Sequence, residues 1–207
     1  MTNTEPAKRG KPNPKRKVGL PMYVTLSEAH RIGRACEHDR DQLLVDTLWV
    51  TGGRISEVVN VRAGDITKDG ILLLNEKQRS GLSQKHVYCP GPFMVRLRAF
   101  ANGLPPEAPL FGRLANASKP IGRVMGWYIV TRAAAKAGIL KRKFGVEALR
   151  APSPHAYRHG CAIHMLDEGV PINIAQAQLG HSSLQSTSVY LKVSDSHRQA
   201  IMAKIPF

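Results

Sequence analysis

The chain has 207 residues and carries 30 Lys and Arg against 15 Asp and Glu, a formal net charge of +15. Its 43% hydrophobic content is enough to fill a core; no apolar run is long enough to span a bilayer, and no apolar stretch follows the basic N-terminus as in a secretory signal. Three cysteines (Cys36, Cys89, Cys161) without CxxC spacing argue against a disulfide scaffold or a zinc knuckle and fit a reducing cytosol.

Residues 1–22 read as a flexible basic arm. Lys8, Arg9, Lys11, Lys15, Arg16 and Lys17 face only Glu5, and Pro6, Pro12, Pro14 and Pro21 prevent a regular helix. Such an arm either tracks phosphates or is an inert terminus. Thr25-Leu26-Ser27-Glu28 has the spacing of a capping box and starts a first helix. A second helix is expected from Asp41 to Val50, broken by Thr51-Gly52-Gly53, and a short third one from Ile55 to Val61, with Asp65 in a turn.

Two apolar runs, Ile71–Leu74 and Lys85–Cys89, flank the turn formers Gln78-Arg79-Ser80-Gly81-Leu82-Ser83 and predict a β-hairpin. Pro90 and Pro92 end it. A helix over Phe93–Ala101 follows, then a Pro/Gly-rich loop over 103–122. Arg123–Ala137 is expected to be helical and closed by Gly138. Further helices are expected over His155–Asp167, closed by Gly169, over Pro171–Leu179, over Leu184–Tyr190 and over Ser196–Lys204. The expected fold is mainly α with a small antiparallel β-sheet, an α+β arrangement.

The charge surplus attracts polyanions, nucleic acid first and an anionic membrane surface second. Several residues could meet a phosphate. Arg54 follows a Gly-Gly break at a helix N-terminus, where free N–H groups and a guanidinium fork suit an oxyanion. His155 and Arg158 stand three apart on one expected helix and share a face. His159 and His164 lie nearby and read as ordinary packing or surface residues. His155 and His159 are spaced for a metal, but the acidic partner of an HExxH site is missing, so no metal site is expected. Leu179-Gly180-His181 places another histidine after a helix stop, and Tyr190 follows nine residues on. There is no P-loop, no GxGxxG and no carboxylate cluster, so no cofactor is expected.

Arg54 in TGGRISEVVNV, His155-Ala156-Tyr157-Arg158-His159, Leu179-Gly180-His181 and Tyr190, in that order, resemble the tyrosine recombinase (phage-integrase-like) family over nearly all of residues 25–200. The resemblance implies a site-specific DNA recombinase that cuts and rejoins strands through a 3′-phosphotyrosine. It implies that Arg54 and Arg158 clamp the scissile phosphate, that His155 handles the nucleophile's proton, that His181 hydrogen-bonds the phosphate, and that Tyr190 attacks. Glu57 resembles the acidic residue that supports the first arginine. For the family's hairpin lysine Lys77 is the choice, with Lys85 on the return strand as the alternative and Arg79 where some relatives have lysine.

Most relatives carry an N-terminal helical clamp domain, for which these 207 residues have no room beside the catalytic portion. The start at Met1 leads to the expectation of a naturally short form, similar in size to fimbrial-switch inversion recombinases, with residues 23–207 as the catalytic domain. Double-stranded DNA is the expected partner, and no membrane. A homo-oligomer, dimer to tetramer, is expected on the DNA through the C-terminal segment after Tyr190, with an accessory DNA-bending protein as a further partner and a cytoplasmic, nucleoid-associated location. Two other readings stand beside this one: a type IB topoisomerase-like relaxing enzyme, and a catalytically idle DNA-binding regulator on the same fold.

Overall fold

The computed structural model describes residues 21–75, 83–142 and 149–180. Seven helices and three two-stranded antiparallel sheets lie within them. Helix α1 (Leu26–Arg34) starts where the sequence indicates. The Thr25 hydroxyl accepts from the Glu28 N–H at 3.3 Å, and the Glu28 carboxylate accepts from the Thr25 N–H at 2.8 Å. Two orphan donors of the first turn are thereby satisfied.

Helix α2 (Asp39–Thr51) is the centre of the core. Leu43, Leu44, Val45, Leu48 and Trp49 are buried, and α2 packs against both α1 and α6 (Pro154–Asp167). It ends at Gly52, whose φ of +56° is a left-handed cap that favours glycine. Helix α3 (Ile55–Val59) follows directly and buries Val58 and Val59. It is shorter than expected, and a 3₁₀ turn at Ala63–Asp65 takes up the chain beyond it.

The expected hairpin forms from β1 (Gly70–Asn75) and β2 (Ser83–Tyr88), paired antiparallel with Ile71 opposite Val87 and Leu73 opposite Lys85. Opposed residues share a sheet face. Ile71, Leu73 and Val87 are buried, so Lys85 points inward with them. Helix α4 (Gly91–Ala101) begins earlier than expected. Pro92 lies in its first turn, where the missing N–H costs nothing, rather than ahead of it.

The segment expected as a plain loop contains a second hairpin, β3 (Gly112–Arg113) with β4 (Asn116–Pro120). A third, unexpected one, β5 (Lys141–Arg142) with β6 (Leu149–Arg150), separates α5 (Arg123–Lys136) from α6. The single small sheet of the sequence reading is therefore three separate ribbons. Helix α7 (Ile172–Leu179) packs on α6 and β2 and ends at Gly180, with φ +68°. The arm with Lys8, Arg9, Lys11, Lys15, Arg16 and Lys17 lies outside the described residues, as do Lys77, Arg79, His181, Tyr190 and the helices expected over 184–190 and 196–204. None of the described helices is long and apolar enough to cross a membrane.

Candidate active site

Arg54 is the residue before the first turn of α3. Its Nη1 donates to Glu57 Oε1 at 2.6 Å, and its backbone N–H donates to Glu57 Oε2 at 2.9 Å. Glu57 is only 4% exposed while Arg54 is 26% exposed. The carboxylate therefore sits beneath the arginine and fixes its base, and the guanidinium edge reaches outward. The open helix end expected here as a phosphate cradle is partly filled by Glu57 itself. What this point can offer an anion is the Arg54 guanidinium rather than free helix N–H groups.

Arg158 comes from α6 and is 5% exposed. Its Nη1 donates to the carbonyl of Gly52 at 2.7 Å, which anchors it to the end of α2, two residues before Arg54. An orphan carbonyl at a helix C-terminus suits a cation. His155, three residues earlier on the same helix, is exposed. The pair expected to share a face thus lies at two depths, Arg158 in the floor and His155 at the rim. His155 lines a cleft of about 370 Å³ with Ile55, Arg123, Trp127 and Ser153. Arg123 and Trp127 had no motif to single them out in the sequence.

His159 is half-buried, and its pKa is brought down to about 4, by burial first and then by the charges of His155 and Arg158. His164 packs against Trp49 with the rings tilted and 5.9 Å between centroids, and lies 3.8 Å from Glu168. Among the described residues no three His, Cys, Asp or Glu side chains converge as a metal site would need.

Lys85, the alternative to Lys77 in the sequence, is the hairpin lysine that lies within the described residues. From its inward position on β2 its Nζ donates to the carbonyl of Leu179 at 2.9 Å. Lys85, Arg54, Glu57, Leu73 and Gly180 close around a cavity of about 10 Å³. Burial pulls the lysine down to about 8; Arg158 and Arg54 add to that, and Glu57 opposes it. Cys161 lies beneath, wholly buried, its thiol pushed up to about 12 by desolvation. Its inward direction follows from the period of two on β2, since Lys85 is in phase with Val87.

Three elements, α3, α6 and β2, therefore bring two arginines, a lysine and a buried carboxylate to one place, beside Gly180, which directly precedes His181 in the chain. Residues 23–197 match the model of the phage integrase family. The chain is 30% identical over 190 residues to tyrosine recombinase XerA of Pyrococcus furiosus, covering 89% of this chain and 62% of that one. It thus spans less than two thirds of that relative's length. A crystal structure of XerA recombinase superposes with a TM-score of 0.72 at 23% identity, over 94% of this chain and 68% of that one. XerH site-specific recombinase bound to palindromic difH substrate, in a post-cleavage complex, gives 0.70 at 18% identity, over 93% of this chain and 55% of that one. The cation cluster, the mainly helical fold with small antiparallel sheets and the family match over most of the chain agree: this chain belongs to the phage integrase family.

Proposed function

We propose that residues 23–207 form the catalytic domain of a site-specific DNA recombinase that cleaves and rejoins duplex DNA through a covalent 3′-phosphotyrosine. The observation that carries this reading is the convergence of Arg54 and Arg158, far apart in sequence, around the end of α2, each already held by a dedicated acceptor.

Attack by a tyrosine on a phosphodiester passes through a pentacoordinate state rich in negative charge. Fixed cations at its equatorial oxygens stabilise it without reorganising. Arg54 and Arg158 serve there, with His181 donating a further hydrogen bond. A free tyrosine titrates near pH 10. Nearby cations lower that value, and His155 at the rim accepts the Tyr190 proton. The Tyr190 oxygen bonds to phosphorus and the bond to the 5′ oxygen breaks. That oxygen leaves with a proton, supplied by Lys77. The phosphotyrosine keeps the bond energy, so rejoining needs no nucleotide cofactor.

The DNA partner follows from this chemistry and from the +15 charge. Several relatives by structure are recombinases on DNA, among them a lambda integrase dimer bound to a core site. An assembly of two to four copies on DNA, joined through the segment after Tyr190 and aided by an accessory DNA-bending protein, extends the reading. So does a location with the nucleoid in the cytoplasm.

A nicked suicide duplex tests the core of it. The wild-type chain is expected to accumulate covalent protein–DNA adduct. Tyr190→Phe is expected to form none while binding the duplex as before. An adduct that persists in Tyr190→Phe removes Tyr190 as nucleophile.

A further inference from the structure

Lys85 is a costly residue where it stands. Its ammonium is taken largely out of water, near two arginines of like charge that the Glu57 carboxylate only partly offsets, on a sheet face that otherwise carries Ile71, Leu73 and Val87. A methionine or leucine would fill the same space without that desolvation. What the lysine adds is one bond, from Nζ to the carbonyl of Leu179, the last residue of α7.

The far side of this turn is also fixed. The Gly180 N–H is shared between the carbonyls of Gln176 at 2.9 Å and Ala177 at 3.1 Å. A Cβ on Gly180 would lie 2.7 Å from Lys85 Cδ, so the lysine stem lies against the glycine. The Gln178 side chain pairs with both backbone groups of Tyr88, tying the last turn of α7 to the same strand three residues along from Lys85. The 10 Å³ left beside Arg54 and Glu57 is about the room of a single water and far too small for a phosphate.

From these contacts we propose that Lys85 is a positioning residue for the recombination reaction: it ties the end of α7 to the arginine cluster and so sets where the chain delivers His181. This rests on the recombinase reading for its consequence in catalysis, but not for its structural content. Lys85 acts through the Leu179–Gly180 turn and not as the proton donor to the leaving oxygen, a role that stays with Lys77.

Lys85→Met keeps the stem and removes the donor, and two measurements decide its role. In the DNA-free protein, amide hydrogen exchange at Gly180 is expected to speed up about tenfold, on the scale of one lost charge-assisted hydrogen bond, while Leu73 and Val87 keep their protection. Unchanged exchange at Gly180 overturns the proposal, whatever the protein does with DNA. Single-turnover cleavage is then compared on duplexes whose leaving group is the ordinary 5′ oxygen or a bridging 5′ sulfur, which departs without a proton. Lys85→Met is expected to slow both by the same factor, roughly tenfold or more, whereas Lys77→Ala is expected to recover on sulfur. Recovery of Lys85→Met on sulfur, or wild-type rates on both substrates, overturns the positioning role. If the wild-type chain forms no adduct at all, the recombinase reading fails and the exchange measurement still decides what Lys85 does.

Discussion

Arg54 and Glu57 show how a single contact serves both stability and chemistry. The carboxylate is buried and accepts from Arg54 twice, so deleting the arginine strands a charge, and in the proposed mechanism it also removes a cation from the phosphate. Arg54→Ala should lower cleavage by about two to three orders of magnitude, the scale of one lost oxyanion donor. It should also destabilise the fold by about 1–3 kcal/mol through the carboxylate left behind. Arg54→Ala with Glu57→Gln should regain part of that stability and none of the activity. Chemical denaturation of the three proteins measures it, and a double variant less stable than Arg54→Ala would rule out the stranded carboxylate as the cause. Arg54 stood out in the sequence by its place after the Gly-Gly break, and Glu57 entered only through the family resemblance; their contact spans three residues and is local. The difference in depth between His155 and Arg158 was not legible there, because what covers each is set by α2 and α5, far along the chain.

The helices could be read from local chemistry, and the minor ribbons could not. Thr25 to Glu28 marks the start of α1, and Pro154 sits in the first turn of α6. By contrast β4 is exposed at every position, so it has no alternation to betray it, and β5 and β6 have two residues each. The junction of α2, α6 and α7 depends on Gly52. A Cβ there would need a left-handed backbone and would lie 2.4 Å from Leu179 Cδ2 and 3.1 Å from Cys161 Sγ. Gly52→Ala should therefore cost about 2 kcal/mol or more, from strain and overpacking together. It should also impair cleavage even below its melting temperature, because the Gly52 carbonyl holds Arg158 and Leu179 carries the carbonyl that holds Lys85. A stable variant with normal cleavage would mean that the three helix ends can shift without moving the cations.

Over the whole molecule the charge divides unevenly. Residues 1–22 hold six basic residues and one acidic one, a third of the net +15. Duplex affinity should fall steeply with salt, since each neutralised phosphate contributes about 0.9 to the slope of log K against log salt. Removing residues 1–17 should flatten that slope by up to about five and leave cleavage of a bound, nicked duplex in place. An unchanged slope would make those residues a bystander in binding. Composition alone pointed to a polyanion. It could not separate the exposed cations from the few that the fold gathers, wholly or partly buried, at Arg54, Arg158 and Lys85.

Arg158 and Lys85 are both held by carbonyls at the C-terminal ends of helices, α2 for one and α7 for the other. Together with Glu57 beneath Arg54, these protein acceptors let three like charges rest side by side. An arriving phosphate then completes a set of acceptors instead of starting one. Little has to rearrange as charge builds up on its oxygens, and a loose anion has little to offer that the helix ends do not already supply. In the proposed recombinase, cations held in this way favour a duplex backbone, fixed along its length, over a small free phosphate.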